Sequence, residues 1–116
     1  MRHVIGSVAD FPERQAVPVR VSGREIVVVR FNERLYAVRN TCPHQSQRFT
    51  PAQVRGALET TGRVGEIELG ESEPVIVCPW HTWEFRLRDG RCARDASKRV
   101  KTYRVDVEGD NVVLEI

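Results

Sequence analysis

PVIVCPWHTWEFRLRDGRC, residues 74–92, is two strands folded around a short loop. PVIVC (74–78) is a brief β-branched apolar run. WEFRLR (83–88) alternates large apolar with charged residues, and Asp89-Gly90 marks a tight turn after it. The loop itself, Cys78-Pro79-Trp80-His81, offers one thiol and one imidazole three residues apart. The same composition occurs upstream, where the strand LYAVRN (35–40) runs directly into Cys42-Pro43-His44. Two of the three histidines in the chain fall in these loops.

Two loops that each leave a strand can converge four ligands on one site. Thiolates suit iron–sulfur clusters and zinc, and imidazole suits zinc, copper and iron. A structural Cys2His2 zinc site therefore stays open. Zinc fingers, however, usually group their cysteines as C-x2–4-C and their histidines as H-x3–5-H. Here each loop mixes one Cys with one His, which suits a dinuclear cluster with both cysteines on one iron and both histidines on the other. Spacing favours the cluster over zinc.

Outward from these loops the strand pattern continues. AVPVRV (16–21), EIVVVRF (25–31) and VKTYRVDV (100–107) read as strands, and VVLEI (112–116) pairs with the last of them as a terminal hairpin. Turns are marked by SGRE (22–25), by Asn32-Glu33-Arg34 and by Glu108-Gly109-Asp110-Asn111. TPAQVRGALET (50–60) is read as a short helical turn, against its Gly and Pro. Short strands punctuated by turns predict an all-β chain, an antiparallel sandwich or barrel. With 116 residues and no repeat or linker, a single domain over 1–116 is expected.

Composition narrows the function. A net charge of +2 argues against non-specific nucleic-acid binding, and the cations, scattered along the sequence, read as a solvated surface. No apolar run is long enough to span a bilayer, and the N-terminus shows no signal-like stretch, so no membrane partner and a cytoplasmic location are expected. Three cysteines are an odd count, unlike a disulfide framework.

From residue 35 to 116 the chain resembles the Rieske ferredoxins that feed bacterial aromatic-ring dioxygenases. The resemblance rests on NTCPHQ (40–45), VCPWHTWEFRLRDGRC (77–92) and RVKTYRVDVEGDNVVLEI (99–116). The N-terminal third fits the family's opening strands but carries no diagnostic residue. The resemblance implies a Rieske-type antiparallel β-sandwich with a small cluster-binding subdomain, about 40–92, formed by two ligand loops. It also implies one 2Fe-2S cluster held by Cys42, His44, Cys78 and His81.

The chain departs from the family in several places. The segment between His44 and Cys78 covers 45–77, 33 residues, longer than usual; GRVGEIELGES within it resembles an inserted hairpin, about 50–72 in all. The common Gly after the first His is missing in Gln45-Ser46-Gln47, Thr82 stands for a usual Gly, and Ala96 for a common Pro. These changes touch the docking surface and leave the ligand set intact.

High-potential Rieske proteins of quinol-oxidising complexes place a Ser and a Tyr two and four residues after the second His, where this chain has Trp83 and Phe85. Their extra cysteines correspond here to Gln45 and Trp80. A low potential without a neighbouring disulfide is thus expected.

The implied role is a one-electron carrier, not itself an enzyme, between a flavin-dependent reductase and a terminal oxygenase. Only His3 lies outside the cluster motifs, too little for a mononuclear iron site of two His and a carboxylate. There is no G-x-G-x-x-G dinucleotide fingerprint. The alternatives are a small Rieske subunit of a multi-subunit reductase or oxygenase, and a zinc-stabilised interaction module. His3 is expected at a frayed terminus. Cys92 should be a small buried hydrophobe, Trp83 and Phe85 packing beneath the loop, and Tyr103 core with its hydroxyl at a polar rim.

Overall fold

The computed structural model describes residues 1–43, 48–50, 52–60, 67–79 and 83–116. Its strands are β1 (Arg2–Ser7), β2 (Ala16–Val21), β3 (Arg24–Phe31), β4 (Arg34–Arg39), β5 (Gln53–Thr60), β6 (Ile67–Val77), β7 (Glu84–Arg86), β8 (Thr102–Glu108) and β9 (Asn111–Glu115). One 3-10 turn at Val8–Asp10 is the sole helical element among the described residues. The strands form a six-stranded sheet ordered β1-β9-β8-β4-β3-β2 and a three-stranded sheet ordered β5-β6-β7. Every pairing between them is antiparallel. The all-β expectation holds.

β3 explains how the two sheets come together. Ile26 and Val28 enter one apolar cluster with Phe11, Val21, Ala37, Val112 and Leu114, inside the curl of the large sheet. The alternate residues Val27, Val29 and Phe31 enter a second cluster with Ile76, Phe85 and the three cysteines. Successive side chains of a strand point to opposite faces. A strand covered on both sides therefore reads as a continuous β-branched run, as REIVVVRF does. β2 lies at the sheet edge, which is where a Pro such as Pro18 can sit without breaking a second ladder.

Tight turns set the register. Ser22 and Gly23, then Asn32 and Glu33, have positive φ and close two-residue hairpin turns between Val21 and Arg24 and between Phe31 and Arg34. The β8–β9 hairpin pairs Glu108 with Asn111, as the sequence led us to expect.

Three expectations need correction. The helical turn expected over 50–60 gives way to a strand: Gln53–Thr60 is β5, with Val54 opposite Ile76 and Gly56 opposite Pro74. Pairing along β6 and burial of Val54 override the weak local helical pattern. The strand expected over 83–88 is shorter, with β7 limited to Glu84–Arg86. His3 is not at a frayed end; it is half-buried in β1, paired with Leu114. The inserted hairpin is present in part, since Leu58–Thr60 pair with Ile67–Leu69. Residues 61–66 lie outside the described residues.

After β7 the chain turns at Asp89-Gly90. Gly90 has φ 80°, and a Cβ there would stand 2.1 Å from the Val100 carbonyl oxygen, so only glycine fits. Asp89 Oδ1 accepts from the Arg91 N–H at 3.0 Å. Partial burial opposes ionisation of Asp89, but that N–H and the guanidiniums of Arg86, Arg88 and Arg91 outweigh it and hold its carboxyl below the ordinary value of 3.8.

Candidate metal centre

The roots of both loops, Cys42 and Cys78, belong to one apolar cluster. β4 ends at Arg39, and two residues on, past Asn40 and Thr41, comes Cys42. β6 ends at Val77, immediately before Cys78. Neither thiol is in a disulfide, both are 0% exposed, and both belong to the apolar cluster on the outer face of β3. His44 and His81, together with Gln45, Trp80 and Thr82, lie outside the described residues.

The base of the second loop is a ladder continued past its last strand pair. Val77 pairs with Glu84, and the Cys78 N–H then donates to the Trp83 carbonyl at 2.8 Å. Cys78 and Trp83 therefore close the described end of the β6–β7 hairpin. Trp83 is half-buried against the cluster, with the Arg94 guanidinium 5.7 Å from its ring centroid. Phe85 is fully buried in that cluster. Packing at this place is what the sequence implied for both.

The first loop is held by a residue that sequence reasoning missed. Asn40 is the one buried polar side chain among the described residues. Its Oδ1 accepts from the Phe49 N–H at 2.9 Å and the Thr50 N–H at 3.2 Å, and its Nδ2 donates to Thr50 Oγ1 at 2.9 Å. Its own N–H donates to the Glu25 carbonyl on β3 at 2.9 Å. One amide thus ties the entrance of the loop to its exit and both to the large sheet. A buried amide that satisfies several backbone donors fixes geometry, since leaving them unpaired costs about 1–3 kcal/mol for each group.

Phe49 was also missed. Its ring meets Phe85 edge-on, with centroids 5.5 Å apart and planes at 80°. Phe49 follows the first loop and Phe85 follows the second, so this contact links the two loop exits. Such a pair contributes about 0.5–1.5 kcal/mol beyond its buried area. Cys92 is buried in the same cluster, its N–H donating to the Lys98 carbonyl at 3.0 Å. Its burial matches the small-hydrophobe expectation.

Two buried, unbridged thiols at the roots of neighbouring loops fit a thiolate-ligated cluster. The soft donors are shielded from water, and the backbone around each is already hydrogen-bonded in place. A small antiparallel sheet presenting such loops, seated on a larger curled sheet, defines an all-β metal-cluster domain.

The chain belongs to the Rieske [2Fe-2S] domain family, whose model matches residues 1–104, and its cofactor is one Rieske-type 2Fe-2S cluster. It is 33% identical over 108 residues to the ferredoxin component of the naphthalene 1,2-dioxygenase/salicylate 5-hydroxylase systems of a Ralstonia species, covering 92% of this chain and 88% of the relative. Among solved structures, a protein assigned as an NADH-dependent nitrite reductase small subunit from Mycobacterium tuberculosis superposes with a TM-score of 0.79 at 17% identity, covering 98% of this chain and 93% of that one. A carbazole-bound oxygenase in the ferredoxin complex of carbazole 1,9a-dioxygenase gives a TM-score of 0.73 at 19% identity, covering 97% of this chain; this chain spans 28% of the matched one. At these identities the solved structures establish the shared fold.

Proposed function

We propose that the chain is a low-potential one-electron carrier that takes electrons from a flavin-dependent reductase and delivers them to a terminal oxygenase in the cytoplasm. The observation that carries this reading is the pair of buried thiols, Cys42 and Cys78, at adjacent loop roots in a chain similar to a dioxygenase ferredoxin. Cys42 and Cys78 are the proposed thiolate ligands, with His44 and His81 as the imidazole pair. The whole chain, 1–116, acts as one unit whose cluster-binding part is about 40–92. When bound, the cluster accepts and returns one electron at a time.

The residues described here support that role by keeping the site rigid and dry. Asn40 and the Phe49–Phe85 contact hold the two loops together, so little reorganisation accompanies a change of charge. Trp83 and Phe85 supply no hydroxyl at the positions where high-potential relatives carry Ser and Tyr, which favours a potential near about −150 mV.

The test is direct. Purified protein should contain iron and acid-labile sulfide at two each per chain. It should bleach with dithionite and then give a mixed-ligand EPR signal. Stoichiometric zinc in colourless protein would defeat the reading, and a midpoint well above zero would defeat its low-potential part. Separate substitution of His44 and His81 by Ala should each abolish the signal. Fractionation of the producing cells tests the location, and reduction by a flavoprotein with NADH tests the donor.

A further inference from the structure

Cations far apart in the sequence meet beside the first loop. Arg24 begins β3, Arg39 ends β4, and Lys101 and Arg99 lie just before β8. β3, β4 and β8 are neighbours in the sheet, and the Arg39 N–H donates to the Lys101 carbonyl at 2.9 Å. These cations line two open clefts, of about 430 Å³ and 340 Å³, that share Arg39, Thr41 and Lys101 and so form one groove. All four cationic side chains are exposed, and no carboxylate among the described residues forms an ion pair with them. The one acidic residue in the lining, Glu25, is paired with Arg48 at 3.3 Å.

Four exposed cations without a carboxylate partner thus share one groove, and Lys101 Nζ also lies 5.3 Å from the Tyr103 ring centroid. Pro43, which adjoins His44, lines the same groove, and Thr41 adjoins Cys42. Strand ends lie about 4.8 Å apart, so the cations form a row across the rim instead of a single pocket. A row of this kind complements a row of carboxylates better than one small anion.

We propose that this groove is the docking face for an acidic protein partner, whose carboxylates seat on Arg24, Arg39, Arg99 and Lys101 and bring its redox centre to the first loop. This rests on the electron-carrier reading above. Complementary charge of this kind raises the encounter rate and fixes orientation more than it raises affinity, and salt screens it. Four of the 18 cations that the sequence scatters are thus brought by the fold to one groove.

The experiment uses two probes on the intact protein. In low salt a fluorescent decaglutamate peptide should bind the wild type. Arg39→Glu/Lys101→Glu should weaken that binding by about tenfold or more, and molar salt should remove it. Arg34→Glu, at the other end of β4 about 17 Å away, should change it less than about twofold. With reduced holoprotein, oxidation by hexacyanoferrate(III) should slow in the double variant, oxidation by a tris(phenanthroline)cobalt(III) cation should quicken, and added decaglutamate should inhibit only the wild type. Equal effects of the Arg34 and Arg39 reversals would overturn the proposal. So would peptide binding that leaves both oxidation rates untouched, or displacement of the peptide by inorganic phosphate beyond the effect of chloride at equal ionic strength. If no Rieske EPR signal is found, the carrier reading fails, while the peptide arm still decides whether the face binds carboxylates.

Discussion

The large curled sheet fills its core chiefly from its own strands, whereas the small sheet completes its core from outside any strand. Val21, Ile26, Val28, Ala37, Val112 and Leu114 all sit in ladders of the curl. On the other side of β3, Cys42, Phe49, Leu87, Cys92 and Val100 all lie between strands. β7 contributes only three residues of strand. The curl is thus a self-contained scaffold. The small sheet is a mount for two loops, and its core is shared with the scaffold beneath.

Four substitutions break or sharpen that division. The largest effect belongs to Cys78→Ala. It should remove the iron and the visible spectrum completely, because metal binding and local folding are coupled. Amide exchange should then quicken in β5–β7 and stay slow in β8 and β9. Uniform quickening across both sheets would erase the distinction. Ile26→Ala comes next and acts from the other side. It should cost about 2–5 kcal/mol in urea unfolding, as for other buried aliphatic truncations, yet leave the EPR line shape of the folded holoprotein unchanged.

Asn40→Ala tests the joint between the regions. It leaves the Phe49 and Thr50 N–H groups without their acceptor and should cost about 2–3 kcal/mol. Unlike Ile26→Ala it should also broaden the EPR signal and speed cluster loss, since it loosens the loop directly. Asp89→Asn is expected to do least. The folded-state pKa of Asp89 is lowered, so its ionisation stabilises the fold above its unfolded value of 3.8 and that contribution is lost as pH falls through the folded value. The variant should show a slightly shallower fall in stability below about pH 4, followed by urea titration at several pH values. A steeper fall would contradict the sign.

The scaffold was more legible than the mount. β3, β4 and the β8–β9 hairpin announce themselves by apolar runs or alternation with turn residues between them. β1 escaped because its register shifts between Val4 and Gly6, which breaks the alternation. β5 was misread because its ladder partner, and not its own composition, decides its conformation. Of the proposed ligands, Cys42 and Cys78 were singled out by the loops they share with histidines, and both are buried in one apolar cluster. Asn40 and Phe49 were not singled out, because their roles arise from contacts to residues the sequence gives no cause to pair with them. An amide ending a strand just before Cys-Pro-His was the only available hint. The cationic groove was hidden for the same reason, since Arg24, Arg39 and Lys101 become neighbours only once β3, β4 and β8 align.

The β5–β6 hairpin pairs in two separate stretches. Gln53–Gly56 face Pro74–Val77, and Leu58–Thr60 face Ile67–Leu69, with a shift in register between them. The inner stretch leads directly into Cys78; the outer one makes no demand on it. For a protein engineer this is a splice point. The outer stretch can be exchanged for a short turn, or for a reporter or tethering peptide, while the ladder that aims Cys78 keeps its register.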